Sequence, residues 1–319
     1  MKKLFAALTV GMVLATPAFA TDHLVVYSAG PKPLSSGLAK AFEAKTGIKV
    51  DLFEATAGKI MARYEAEKAN PQVDVIISAA WADAISLDQA GELLPYHSAN
   101  AANVPAALQT PNYVAQGAAA LAIAYNPKSG LPAPTRWSDL TQPTYKDQVT
   151  MPDPAKSGSS LTLVQGLVAK DETAAWKLFE GLAANQTLVP GPNNAAMNPV
   201  LQGAKGVVFG AVDYLVIGAK AKGESIEVVY PKDGTVLAPR PMMIIKTSQH
   251  QEAAKQFIDF ALSEEGQKRV ADEFILPART DIQAKRPGWN DLSIIDFNEA
   301  AAAASAAATK AKFAAIMMK

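Results

Sequence analysis

"IKVDLFEATAGKIMARYEAEKANPQVDVIIS", residues Ile48–Ser78, decides the fold. Its first part, "IKVDLFEA", reads as a strand. "AGKIMARYEAEKANP" then carries apolar residues at helical spacing and stops at Asn70-Pro71, and "VDVIISA" is a short apolar run of the kind found in buried strands. Two strands separated by a helix pair in parallel, with the helix crossing over one face of the sheet. Upstream, "HLVVYS" from His23 is another strand, and "SSGLAKAFEAKTG" sets Leu38, Ala39 and Phe42 on one helical face with Gly47 as its stop. Downstream, "WADAISLDQAGE" continues as a helix. This β-α-β-α-β-α series predicts a parallel sheet covered on both faces.

The alternation goes on. "AAALAIAYNP", Ala118–Pro127, is a strand entering a turn, and "SGSSLTLVQGLVAK" opens a helix. "TAAWKLFEGLAAN", "NAAMNPVLQGAKG", "VVFGAVDYLVIGAKAKG" and "SIEVVYP" carry the pattern through a second lobe. "TVLAPRPMMIIKT" is a long extended stretch, and "QEAAKQFIDFALSEEGQKRVADEF" is strongly helical in its periodicity. The alanine-rich tail from Glu299 predicts a terminal helix packed on the surface.

The chain starts "MKKLFAALTVGMVLATPAFA": two lysines, an apolar centre and a small-x-small ending, which is the pattern of a secretory signal peptide over residues 1–20. An exported, periplasmic protein is expected. Without Lys2 and Lys3 the balance of basic to acidic residues moves from 30 against 30 to 28 against 30, which gives no cationic excess for nucleic acid. Cysteine is absent, so neither disulfides nor thiolate metal ligands enter. A chain of 319 residues that is 49% hydrophobic supports a large core and divides readily into two lobes, which allows a cleft.

In open α/β sheets ligands collect beyond the carboxyl ends of strands, where helix N-termini point free N–H groups. Four such turns carry small or hydroxylic residues: "YSAG" with Ser28 and Gly30, "EATAGK" with Thr56 and Gly58, "ISAAW" with Ser78, and "KSGSS" with Ser157, Gly158, Ser159 and Ser160. Thr56 and Ser78 are expected N-caps. Each hydroxyl read alone is a cap worth about 0.5–2 kcal/mol; together they are donors that suit a compact oxyanion. Lys32 and Lys59 lie near two of these turns and Arg240 lies in the long extended stretch, and any of them can neutralise a bound anion. Enzyme signatures are missing: there is no G-x-S-x-G, H-E-x-x-H, P-loop or G-x-G-x-x-G, and the only histidines are His23, His97 and His250. No catalytic activity and no cofactor are expected.

"AFEAKTGIKVDLFEATAGKIMARYEAEKANPQVDVIIS", "GELLPYHS", "WSDLTQPTYKDQV", "SGSS" and the stretch from "VDYLVIGAKAKG" to "FALSEEGQ" resemble, in this order, the periplasmic substrate-binding components of ABC importers, in the ferric-iron-binding-protein-like group. The resemblance implies a two-lobed type II periplasmic-binding-protein fold of two α/β domains joined by hinge strands, with ligand in the cleft between them. Lobe 1 is then expected at 21–117 and 242–288, lobe 2 at 118–241, hinge strands near 118–127 and 235–247, and a C-terminal helical segment at 289–319. It implies a monomer that delivers a small solute to an inner-membrane permease. Ferric binders of this group carry two adjacent tyrosines in the second lobe; here the corresponding place reads Asp213-Tyr214 with Leu215 after it. Relatives that bind phosphorylated or phosphonate solutes use hydroxyls and helix N-termini, the role assigned here to the four turns, with Asp213 and Tyr214 meeting the organic part. Ferric iron held by Tyr214, Asp213 and Glu54 is the alternative.

Overall fold

A computed structural model describes residues 23–318; the leader read at residues 1–20 lies outside them. Nine strands form the sheet: β1 (His23–Ser28), β2 (Lys49–Glu54), β3 (Val75–Ile77), β4 (Tyr113–Tyr125), β5 (Val149–Thr150), β6 (Val207–Val212), β7 (Glu227–Val229), β8 (Leu237–Ile244) and β9 (Leu276–Pro277). The helices are α1 (Lys32–Thr46), α2 (Ala57–Ala66), α3 (Trp81–Gln89), α4 (Gly158–Lys170), α5 (Glu172–Ala184), α6 (Asn193–Leu201), α7 (Asp213–Ala221), α8 (Gln251–Leu262), α9 (Glu264–Asp272), α10 (Glu299–Ala304) and α11 (Ala306–Met317).

The local reasons are those of the sequence. Helix α1 buries Leu34, Leu38, Ala39 and Phe42, and ends because Gly47 adopts φ 78°, returning its N–H to Glu43 O. Helix α2 closes at Ala66, four residues before the Asn70-Pro71 break expected to end it. The expected helical run from Gln251 is two helices, divided at Ser263, whose side chain accepts from Gly266 N and so starts α9.

Strand β1 lies between β2 and β3, parallel to both, as the opening β-α-β pattern requires. The expected all-parallel sheet is instead mixed, because β8 returns beside β3 in the antiparallel sense and β4 then pairs with β8. The order along the sheet is β2-β1-β3-β8-β4-β6-β5, with β7 and β9 also on β4. Only the chain's later passages supply this antiparallel pair, so the local period cannot reveal it.

Strands β4 and β8 belong to both lobes. The first residues of β4 pair with the end of β8, Tyr113 opposite Met243, and its last residues pair with β6 and β7 in the second lobe. The strand starts at Tyr113 rather than Ala118. Pro239 and Pro241 of β8 face Ala118 and Ala115, and the register slips between those two alanines, the bulged setting in which a sheet tolerates residues with no N–H. Gly117 sits in the slip; a Cβ there would come within 2.5 Å of Leu276 O, so only glycine lets β9 pair with it.

The alanine-rich tail does more than coat one surface. Helix α10 packs on α3 of the first lobe and on α4 of the second, and α11 packs on α4 and α5. Phe313 is buried against Phe179, ring centroids 5.5 Å apart. Glu299, at the start of α10, is pushed up to about 7, first by burial and then by Asp296. A carboxyl raised in the folded state contributes stability that is complete below its unfolded value near 4.5 and is lost as pH rises through about 7. Glu299→Gln is expected to gain about 1–2 kcal/mol at pH 8 and nothing at pH 4, measured by chemical denaturation at both values.

Candidate functional site

A cleft of about 590 Å³ opens between the lobes. The first lobe contributes Gly30 and Lys32 at the start of α1, Glu54 at the end of β2, Thr56 and Lys59 at the start of α2, and Ala79 before α3. The second contributes Lys156 to Ser159 at the start of α4, Pro192 to Asn194 at the start of α6, and Tyr214 and Leu215 in the first turn of α7. Five helices therefore begin at the cleft wall, and the unpaired N–H groups and positive dipole ends of their first turns favour a negative guest.

Of the residues singled out from the sequence, Gly30, Thr56, Ser157, Gly158, Ser159 and Tyr214 line this cleft. Thr56 occupies the N-cap position of α2 but makes no side-chain cap bond. Ser157 does cap α4, accepting from Ser160 N at 3.2 Å, and its hydroxyl donates to Asn193 Oδ1 at 2.8 Å. Asn193 Nδ2 in turn reaches Ser159 Oγ at 3.3 Å. The starts of α4 and α6 are thus locked into one polar wall.

Ser28, Gly58, Ser78 and Asp213 are not on the cleft lining. Ser78 is no cap: Ala80 holds that position, and the Ser78 hydroxyl donates to Asp83 and accepts from Ala80 N at 3.2 Å. Gly58 admits a close approach, but by Ala155 O of the opposite lobe, 3.3 Å from where a Cβ would stand. Asp213 points into the interior. Its carboxylate pairs with Arg286, both side chains being fully buried, and accepts from Ala120 N at 3.1 Å, Tyr214 N at 2.8 Å and Tyr230 Oη at 3.2 Å. Burial pushes its carboxyl up, and the Arg286 guanidinium pulls the other way. The residue read as a solute contact is tied up in holding α7 to β4 and to the segment that carries Arg286.

Sequence reasoning missed Lys156, Asn193 and Asn194; "GPNNAAM" was the available signal, a Gly-Pro turn with two amides opening a helix. It named Arg240 only as one of three basic candidates, and the structure sets it apart. Arg240 is 2% exposed, and its Nε and Nη2 have no hydrogen-bond partner among the described residues. It lies behind Gly30: a Cβ on Gly30 would stand 3.3 Å from Arg240 Nη2, 3.0 Å from Ser28 Oγ and 2.7 Å from Ser35 Oγ. Ser28 and Ser35 share a hydrogen bond of 2.7 Å. Burial lowers the guanidinium's affinity for its proton, and the nearby Tyr214 phenol is itself pushed up by burial, with Arg240 pulling it down. Glu54 is the single acid on the cleft lining, against Lys32, Lys59 and Lys156, and its Oε1 is buried without a partner. Among the described residues no three His, Cys, Asp or Glu side chains are grouped to hold a metal ion.

The lobes touch across the cleft. A Cβ on Gly158 would come within 2.7 Å of Ala80 Cβ and 3.1 Å of Ala79 O. Gly158→Ala is expected to prop the lobes apart, giving a larger radius of gyration by small-angle scattering in saturating ligand than the parent protein shows. Asp213→Asn strands a buried guanidinium and should cost about 3–5 kcal/mol in urea unfolding, most of which the double change with Arg286→Met restores.

A family model described as bacterial extracellular solute-binding protein matches residues 70–302. A periplasmic protein of Salmonella paratyphi A named for 2-aminoethylphosphonate binding is 25% identical, over 91% of this chain and 94% of that one. Among solved structures, the periplasmic binding protein AfuA from Actinobacillus pleuropneumoniae with fructose-6-phosphate bound superposes with a TM-score of 0.86 at 24% identity, covering 94% of this chain and 99% of that one. Iron-bound HitA from Pseudomonas aeruginosa does so at 0.82 and 24%, covering 92% and 99%.

Proposed function

The chain belongs to the bacterial extracellular solute-binding protein family, and on that premise we propose that it captures an organic phosphate or phosphonate in the interlobe cleft and hands it to the permease of an ABC importer. The observation that carries this reading is Arg240. A buried guanidinium with no counter-ion costs several kcal/mol, and a dianionic oxygen group placed before Gly30 would remove that cost. Arg240 itself lies behind the lining, and the donors on the cleft wall in front of it are Thr56 Oγ1, the first N–H groups of α2 and α4, and the Lys32 and Lys59 ammonium groups. A phosphoryl group, with three oxygens and up to two charges, can use donors from both lobes at once. A solute held by both lobes at once favours an arrangement like the one here, in which the start of α4 lies against Ala79. Glu54, with one carboxylate oxygen unpartnered, is placed to accept from a hydroxyl or amine on the organic part.

The relatives named for phosphonate and sugar-phosphate ligands support this solute class, and their periplasmic naming supports the same compartment. Ferric iron has weaker support: Asp213 is committed to Arg286, which leaves Tyr214 and Glu54 as the anionic oxygen donors of the alternative set. Burial also holds the Tyr214 proton on.

Phosphate esters and phosphonates are expected to stabilise the folded protein by about 2.7 kcal/mol at one hundred times the dissociation constant and so to raise the melting temperature in a thermal-shift panel, while Fe(III) alone leaves it unchanged. A shift with Fe(III) and none with any phosphoryl compound defeats the proposal. Arg240→Met gives a two-sided check. The ligand-free protein should melt higher, because a buried unpaired charge is gone, and phosphoryl affinity should fall at least about thirty-fold by calorimetry.

A further inference from the structure

The leader pattern ends at Ala18-Phe19-Ala20, and the next residues read Thr21-Asp22-His23. Cleavage after Ala20 puts a histidine third from a free amino group. That spacing has its own coordination chemistry. An α-amine, two deprotonated backbone amides and the Nδ1 of a third-position histidine are four nitrogens on one short run of chain. Around a metal they close two five-membered chelate rings and one six-membered ring, a flat set that suits Cu(II) and Ni(II). Zn(II), which favours a tetrahedron, gains little from it.

We propose that processing after Ala20 creates a Cu(II) or Ni(II) site at the new N-terminus, made by the Thr21 amine, the amide nitrogens of Asp22 and His23, and His23 Nδ1. The solute cleft takes no part in it. His23 begins β1, and the other end of that strand, at Ser28, runs on to Gly30 of the cleft lining. The six residues of β1 put about 16 Å between the two ends.

Three observations carry the proposal. His23 Nε2 lies 3.1 Å from Asp51 Oδ2, and Nδ1 makes no hydrogen bond among the described residues, so the carboxylate holds the proton on Nε2 and leaves the Nδ1 lone pair free. That is the tautomer the set needs, because only Nδ1 can chelate together with the residue's own amide; Nε2 lies on the far side of the ring. The His23 side chain is also open to solvent, at 41% exposure, as is that of Asp51 at 69%. Finally, nothing nearby offers a stronger set. The ring of His250 stands edge-on with its centroid 6.1 Å away, but its Nδ1 is turned to the buried carboxylate of Asp74 at 3.2 Å. Cysteine is absent, and among the described residues no three His, Asp or Glu side chains are grouped for a metal. Binding expels one proton from the terminal ammonium and one from each of the two amides, an exchange for which Cu(II) and Ni(II) stand high among the divalent metals.

The test uses protein exported and processed in cells, with the cut located by intact mass in the parent and in each variant. The parent is expected to begin at Thr21 and to take up one Cu(II) by calorimetry, with the violet absorbance of a four-nitrogen square plane rather than the blue of imidazole alone. Asp22→Pro keeps the amine and the imidazole but removes one amide N–H. It should abolish the violet band and weaken Cu(II) by more than about 100-fold, the upper cost of losing even an outer partner of a ligand. An alanine inserted before Thr21 moves the histidine to fourth place and should do the same; both changes lie ahead of β1. Asp51→Ala should weaken Cu(II) about ten-fold, and unchanged affinity there overturns its part in setting the tautomer. A cut at another bond overturns the proposal, as does a violet band that survives Asp22→Pro. Blue copper binding that is lost with His250→Ala would make the two imidazoles the ligands and overturn the N-terminal set.

Discussion

The antiparallel pairing of β4 with β8 is the constraint on which the rest depends. One ladder, from Tyr113 opposite Met243 to Ala120 opposite Leu237, carries the first lobe at one end and the second at the other. The strands continue past it into separate sets of partners, β3 for β8 and β6 and β7 for β4. This ladder therefore ties the two lobes together by backbone hydrogen bonds, and one hydrophobic core runs through both of them. The prolines on either side of Arg240 fix φ near −65° within that ladder, so the guanidinium is held by stiff backbone.

That placement explains the electrostatic character of the cleft. A buried cation without a partner costs several kcal/mol in a protein whose whole stability is of the order of 5–15 kcal/mol. On the proposed function, an anionic solute would supply the missing charge, and what is a cost in the empty protein would become affinity in the loaded one. Helix starts from both lobes add backbone donors to the cleft wall. Gly158 and Gly58 let the lobes lie this close, since a side chain at Gly158 would stand where Ala80 already is and one at Gly58 would press on Ala155 O.

Behind the cleft, the Asp213–Arg286 pair fastens the chain's later segment to the root of α7. Arg286 also reaches Tyr230 Oη at 2.9 Å, so β7, α7 and the segment after β9 meet at one buried polar knot. The knot sits one residue from Tyr214, which lines the cleft. The alanine-rich tail completes the arrangement by lying across α3, α4 and α5, so both lobes are touched by helices that neither lobe's sheet contains.

The sequence by itself determined the α/β alternation, the face of α1 and its Gly47 stop, and the placing of Thr56 and Ser157 before helices. Each of these is set by periodicity or by the conformational limits of a few neighbouring residues, which the linear chain displays. It misjudged Ser78, read as a cap, and gave Asp213 to the solute. The hydroxyl of Ser78 instead finds Asp83 and Ala80, and the Asp213 carboxylate finds Arg286, a partner far along the chain that no local pattern foretells. The tertiary structure alone decided that Arg240 is buried with its Nε and Nη2 unpartnered among the described residues, and that the starts of α4 and α6 share a wall. Both are matters of what is near in space after the chain has crossed twice between lobes, and burial, which makes an unpaired charge costly, exists only once the core has closed around it.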